Sequence, residues 1–389
     1  MSLGRRLVGA TSSGWAAVQK VLRFVCTYGP ARTFYKTTGR LRLTVPFVVR
    51  QRRLQDIGVI GCGQFAYATL GHFLQQTFGG RIAACYDVDE AAAQTFARAF
   101  RVPKLCGSVE ALVATEGLRI VYVVSNHASH ADLAAQALGR NLDVYVEKPI
   151  AVNDEQLVRL LRARRNSKAR LFAGYNRPFA AATRLMRALT PIDAQSGITL
   201  HCFINGHKLA PDHWYRRPEE GTRICGNAGH WLDLMVHILN WRGLPDKLDV
   251  SVTWADQSEP DDNLQIGIRS DRGDLFGVTM SSRTEPFEGV SETLNFQHGA
   301  TICKIDDFRS LTLWRGSRKF RRRFWPKDVG HRFAILQPFQ NAVARDWQEV
   351  ELSTMLTLHI SNMVRTLTEF STFSFREART YLDRAVASQ

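Results

Sequence analysis

The sequence predicts an α/β chain, a doubly wound parallel sheet followed by an α+β domain built on an antiparallel sheet. Three observations carry that expectation. From residue 55 to about 175, short β-branched runs alternate with helical periodicity, as in repeated strand–helix–strand units. One of those junctions, 57–66, is a G-x-G-x-x-A turn between a strand and a helix. After about 180 the texture changes to apolar runs separated by polar turns, which suits antiparallel pairing.

The first strand is 57–60, and its helix begins near Gln64. Gly61 and Gly63 permit a tight turn and close approach of the backbone to a pyrophosphate, while Ala66 is small enough for the helix to pack on the strand. The N–H groups at this helix start, those of Gln64 and Phe65 among them, form an anion site with the helix dipole. The second strand, 81–86, leads into Asp87, 26 positions beyond Gly61. That is near the spacing at which an acid meets the ribose hydroxyls of a dinucleotide, and a carboxylate there disfavours a 2′-phosphate. NAD(H) is therefore expected in preference to NADP(H).

Residues 90–100 read as an Ala-rich helix, and 118–124 as a fully buried strand ending in Ser125, Asn126 and His127. The next helix is capped near Ser129 and stops at Gly139. Strand 142–146 runs into Glu147-Lys148-Pro149, a helix covers about 154–165, and 171–175 closes this half. Ligands bind beyond the carboxyl ends of such strands, which places 125–130, 147–149 and 175–177 at the cofactor crevice. Ser125, Asn126, His130, Glu147, Lys148, Asn176 and Arg177 are the candidates there, with plain loop and capping roles as the alternative for the first three. In the second half, 198–204, 248–254, 264–268, 275–280 and 311–314 read as strands; 228–239, 331–345 and 352–370 read as helices. The expected division is an extension over 1–54, a dinucleotide-binding domain over 55–177 and a substrate and oligomerisation domain over 178–389.

At 389 residues, 45% hydrophobic and 22% charged, the chain suits two globular domains. Seven scattered cysteines without a C-x-x-C pair argue against a zinc site or a disulfide framework and suit the cytoplasm; no metal is expected. No run of 18 apolar residues suggests a spanning helix. The net charge of +15 is unevenly spread. Residues 1–55 hold eleven Lys and Arg and no acid, which leaves 40 basic against 36 acidic residues, or +4, for the remainder. Trp15, Val18, Val21, Leu22 and Val25 fall roughly on one helical face before Gly29-Pro30 breaks the pattern. Three readings of this arm stay open: a segment packed on the body or partly disordered, a peripheral contact with anionic membrane or glycan, and a transit peptide. Nucleic acid is not expected, since no recognition motif accompanies the charge.

Over about 56–385 the chain resembles the glucose–fructose oxidoreductase / inositol dehydrogenase (Gfo/Idh/MocA) family. The resemblance rests on the glycine turn, Ser129-His130-Ala131 leading to Val146-Glu147-Lys148-Pro149, and Gly174-Tyr175-Asn176-Arg177-Pro178-Phe179. The block from His213-Trp214-Tyr215-Arg216-Arg217 through His230-Trp231-Leu232-Asp233-Leu234, with Lys327-Asp328-Val329-Gly330-His331, is similar to a branch found in bacterial surface-polysaccharide loci. The resemblance implies a Rossmann domain, then an open, mostly antiparallel sheet whose face covers the nicotinamide, in dimers or tetramers. It also implies His230 as the active-site histidine. Family members commonly carry an acid three or four residues earlier, where this chain has Asn227 and Gly226. Asn227 can hydrogen-bond but holds no charge to raise imidazole basicity.

Oxidising a secondary alcohol needs a hydride acceptor and a group for the hydroxyl proton. His230 is the candidate base, with Asp233 at i+3 placed to orient its ring. Lys148 is the cation for a developing alkoxide. Trp214 and Tyr215 beside Arg216 suggest rings for stacking and a guanidinium for phosphate, with packing and a solvated turn as the alternative. The expected function is an NAD(H)-dependent oxidoreductase acting on a sugar or nucleotide-sugar. The competing expectation is a catalytically weak NAD-binding sensor or assembly partner in glycan synthesis.

Overall fold

Ile57–Ile60 form a strand, β1, with no polar side chain and every residue buried, as the centre of a parallel sheet requires. The structure is a computed structural model that describes residues 4–43, 54–340 and 345–387. Around β1 lie β2 (Ile82–Tyr86), β3 (Lys104–Leu105), β4 (Ile120–Val123), β5 (Asp143–Val146) and β6 (Leu171–Ala173), in the order β3-β2-β1-β4-β5-β6 with all pairs parallel. The order reverses between β1 and β4, and at that switch point the loops after the two strands part to leave a crevice. Gly61 stands at its lip. Its φ is 91°, and a Cβ there would lie 2.7 Å from the Ser125 nitrogen, so only glycine lets the two loops approach this closely.

The second sheet has nine strands: β7 (Ile198–Asn205), β8 (Lys247–Trp254), β9 (Leu264–Ser270), β10 (Leu275–Ser281), β11 (Ser291–His298), β12 (Thr301–Asp306), β13 (Ser310–Arg315), β14 (Arg318–Arg323) and β15 (Phe370–Ser374). Their order is β14-β13-β12-β11-β7-β10-β9-β8-β15, antiparallel except where β10 runs parallel to β7. Burial alternates along β7: Ile198, Leu200, Cys202 and Ile204 enter the core while Thr199, Phe203 and Asn205 face out. The helices Gly229–Leu239 and Trp347–Arg365 contribute to that core. The basic run Arg318–Arg323 is an edge strand with every residue exposed, a solvated hairpin arm whose charge protects the edge from further pairing.

Three expectations need correction. The strands at 291–298, 301–306 and 370–374 were not among those read from the sequence, because their polar outward residues dilute the apolar runs. The helix expected over 331–345 is a short His331–Leu336 helix and one turn, Gln337–Phe339; 341–344 lie outside the described residues. The last expected helix begins earlier, at Trp347, where Asp346 accepts from the Gln348 N–H as N-cap, and it ends at Arg365.

The basic arm folds as two helices, α1 (Gly4–Tyr28) and α2 (Pro30–Arg40), broken at Gly29-Pro30. α2 packs on π-helical turns, Ala66–Gly71, that lead into α3 (His72–Phe78). Gly39 makes the close approach possible, since a Cβ there would lie 2.8 Å from the Tyr67 ring. Trp325 Nε1 donates to the Cys26 carbonyl at 2.9 Å and the Lys327 N–H to the Thr27 carbonyl at 2.8 Å. The arm thus spans from the first sheet to the loop after β14.

Candidate active site

The crevice at the switch point opens into a cleft of about 1490 Å³. Gly61, Gly63, Gln64 and Phe65 line its first wall. A Cβ on Gly63 would meet nothing within 4 Å, so the backbone there faces open space of the kind a pyrophosphate fills. The helix beyond Gly63 leaves first-turn N–H groups without intrahelical acceptors. Asp87 stands at the rim, its carboxylate fixed by the Cys62 N–H at 2.5 Å and the Asp89 N–H at 2.8 Å. These features fit a dinucleotide.

His230 lines the other end of the cleft, and Lys148 lies near it behind the lining. The Lys148 ammonium donates to the Gly226 carbonyl at 2.7 Å, one turn before His230 in the same helical run. Burial pushes Lys148 down to about 8, and pushes Glu147 up to about 7 against the pull of Lys148. Glu147 is held by the Tyr145 hydroxyl at 2.9 Å and the Lys148 N–H at 3.0 Å. His230 lines the cleft, and its Nδ1 has no hydrogen-bond partner among the described residues. Burial first, then Arg177, Lys148, His331 and His127, holds the imidazole well below its ordinary pKa, so it is neutral at pH 7.

At position 226 an acid has no room. A Cβ on Gly226 would lie 2.7 Å from the His127 ring and 2.8 Å from the Tyr215 ring. The rings of Trp214 and Tyr215 each lie 4.7 Å from that of His127, and both line the cleft. Glu220 ties this loop to the β4 loop, accepting from Asn126 Nδ2 at 2.7 Å and the Ala128 N–H at 3.1 Å. Ser125 and Asn126 line the cleft, and the Ser125 and Ser129 hydroxyls lie 2.7 Å apart.

Several candidates are structural instead. His130 is buried between the Pro149 carbonyl, 2.8 Å from Nδ1, and the Ser125 carbonyl, 3.1 Å from Nε2. Burial lowers its pKa to about 4, so the neutral ring has one N–H, which serves the shorter contact. Asn176 is buried away from the cleft, donating to the Val329 carbonyl at 2.7 Å and accepting from Arg177 at 3.0 Å. Arg216 does not reach the cleft: it donates to Asp262 at 2.9 Å and to the Ala210 and Leu209 carbonyls, while Arg217 faces the cleft in its place. Asp233 cannot orient His230, because its carboxylate is buried against Arg345 at 2.6 Å and the Ser353 hydroxyl at 2.8 Å. Asn227 is half-buried, does not line the cleft, and has an Oδ1 without a partner among the described residues. Gln64 lines the cleft while its side-chain amide donates to the Lys36 carbonyl at 3.1 Å. Arg177 lines the cleft but is paired with buried Glu292 at 3.0 Å.

Residues not singled out from the sequence complete the walls: Glu292 and His331, and from the arm Phe24, Tyr28, Arg32, Lys36 and Arg42. The available signal was the fourfold spacing of 24, 28, 32 and 36. It was obscured by the helix break at Gly29 and by the more apolar face around Trp15.

A glycine-turn cleft at the switch point of a parallel sheet, with a second sheet against it, defines a dinucleotide-binding protein of the two-sheet class. Residues 55–175 match the model of the Gfo/Idh/MocA oxidoreductase family, a NAD-binding Rossmann fold. Inositol 2-dehydrogenase of Burkholderia lata is 27% identical over 150 residues, which are 38% of this chain and 44% of that protein. Glucose-6-phosphate 3-dehydrogenase of Bacillus subtilis is 25% identical over 191 residues, 48% of this chain and 52% of that one. The chain thus spans about half the length of the curated relatives it matches. Levoglucosan dehydrogenase in complex with NADH and levoglucosan superposes with a TM-score of 0.69 at 13% identity, covering 83% of this chain and 100% of that one. A family oxidoreductase from Vibrio cholerae gives 0.62 at 18% identity, over 81% and 98% of the two chains. At such identities these structures share the fold.

Proposed function

We propose that the protein is an NAD(H)-dependent oxidoreductase that interconverts a hydroxyl and a carbonyl on a sugar or nucleotide-sugar, in surface-polysaccharide metabolism. The observation that carries this reading is that one cleft holds the glycine turn, Asp87 and His230, with the Lys148 ammonium bonded to the Gly226 carbonyl one turn before His230. When bound, the nicotinamide supplies the hydride acceptor. Lys148, with a pKa near 8, is the group whose proton affinity suits uptake of the hydroxyl proton at Nζ, and Gly226 holds that atom in place. Neutral His230 offers a ring nitrogen that orients the substrate hydroxyl. Trp214 and Tyr215 supply flat surfaces for a sugar or base, and Arg217 a guanidinium for phosphate. The related names, inositol and glucose-6-phosphate dehydrogenases, support a polyol or sugar substrate.

A second reading is favoured by one observation: among the described residues His230 has no carboxylate partner, and position 226 has no room for one. On that reading the protein binds NAD but turns over weakly, as a sensor or assembly partner. Turnover measured with NAD⁺ across inositols, sugar phosphates and UDP- and GDP-sugars separates the two. The enzyme reading expects reduction of NAD⁺ by at least one of them; tight NAD binding with no turnover on any assigns the sensor role. A cytoplasmic homo-oligomer, in peripheral contact with anionic membrane or glycan through the arm, belongs to the same proposal. Among the described residues no helix is long and apolar enough to cross a membrane.

A further inference from the structure

The arm does more than pack on the body. Phe24, Tyr28, Arg32 and Lys36 recur at every fourth position across the α1–α2 break, and all four line the cleft opposite Gly61 and Gly63. Phe24 and Tyr28 stack with ring centroids 4.3 Å apart. The Arg32 guanidinium lies 5.1 Å from the Tyr28 ring centroid and the Lys36 ammonium 4.0 Å from that of Phe24. Arg42, past the end of α2, donates to the Cys62 carbonyl in the glycine turn at 3.3 Å.

These cations lack an ion-pair partner among the described residues. Among the described residues no carboxylate lies within ion-pair distance of Arg32 or Lys36: Arg32 has His331 Nδ1 at 3.4 Å as its polar side-chain contact, and Asp328 acts on it only from farther off, its own oxygens held by the Ala181 and Gly330 N–H groups. The carboxylates that line the same cleft are otherwise engaged: Asp87 accepts two backbone N–H groups, Asp89 caps the helix at Glu90, and Glu292 holds Arg177 and Trp231 Nε1. Burial, with Arg40, Arg32, Lys20 and Lys327 nearby, depresses the Lys36 ammonium to about 8. Gathering partly desolvated cations without a counter-charge is unfavourable unless an anion completes the set.

We propose that Arg32 and Lys36 form an anion subsite in the cleft, floored by Phe24 and Tyr28, that holds a phosphate or diphosphate group of a bound ligand. The chemistry is shared by two sources: the pyrophosphate of the dinucleotide, and the diphosphate of a nucleotide-activated sugar. The proposal rests on the cleft being the dinucleotide and substrate site, and it adds that the arm is part of that site.

The test uses the full-length protein and its Lys36→Met, Arg32→Met and Lys36→Arg variants, with Arg119→Gln, an exposed position just before β4, as control. The buried face that docks α2, including Thr33, Tyr35, Thr38 and Gly39, is untouched. Affinity is measured for NADH by fluorescence and for UDP, titrated with and without NADH, by calorimetry. The expected result is affinity lowered at least about tenfold in both Met variants, the worth of one charge-assisted hydrogen bond, with restoration by Lys36→Arg and no change in Arg119→Gln. Loss for NADH assigns the subsite to the dinucleotide, and loss for UDP alone assigns it to the substrate. Affinities for NADH and UDP equal to those of the unsubstituted protein in both Met variants overturn the subsite and leave the dinucleotide reading standing. Failure of the unsubstituted protein to bind either ligand overturns both.

Discussion

Glu147 and Lys148 are neighbours whose burial moves their titration in opposite directions, up to about 7 and down to about 8. A lysine with a raised pKa is a fixed cation; one lowered toward neutrality exchanges protons at working pH. If the neutral amine of Lys148 accepts the hydroxyl proton, oxidation rises with pH up to about 8 and then levels. Lys148→Arg keeps the charge but not the exchangeable proton, so turnover is expected to fall about 10²–10⁴-fold and the inflection to vanish. A pH–rate profile checks this, and an unchanged inflection in the variant moves the proton to Glu147 or His230. At this scale the Glu-Lys-Pro motif made Lys148 legible in sequence. The tying down of Arg216 and Asp233 was not, because Asp262 and Arg345, their partners, are 46 and 112 positions away.

The arm helix α1 divides its work along its length. Its last turns face the cleft through Phe24 and Tyr28, whereas Trp15, Val18, Val21 and Leu22 are 64%, 49%, 44% and 57% exposed. An apolar stripe left in water beside the exposed Arg23 suits a membrane interface, where each nearby cation adds about 1 kcal/mol on anionic lipid. Sedimentation with vesicles containing phosphatidylserine is expected to retain the protein, and to retain it less in high salt and in the Trp15→Ser, Leu22→Ser double variant. Equal partitioning of both forms removes the stripe from any account of localisation. The amphipathic pattern of this element was visible in the sequence. What its other face touches was not, because the receiving surface is built from residues 60–70 and 286–331.

In the whole molecule, the two sheets are joined where Arg177, just past β6, meets Glu292 on β11 at 3.0 Å, stacked 5.0 Å from the Trp231 ring. Both side chains are buried, at 8% and 1% exposure. Removing one partner strands the other charge, so Arg177→Met is expected to destabilise by about 3–5 kcal/mol in denaturant unfolding, with Glu292→Leu added on top restoring much of the loss. A single variant costing under about 1 kcal/mol shows that water reaches the pair.

The sequence by itself determined the strand–helix alternation and the glycine turn, and it marked Asp87, Lys148 and His230 as candidates, because each depends on local spacing or on a short motif. The alternating strands of the second sheet were partly legible for the same reason. Only the tertiary structure decided that Arg217 rather than Arg216 faces the cleft, that His130 and Asn176 are packing residues, and that the arm lines the site. Those outcomes turn on which distant groups compete for each side chain: a guanidinium or imidazole pairs with whatever carboxylate or carbonyl the fold brings within hydrogen-bond reach. Local sequence carries no record of that approach.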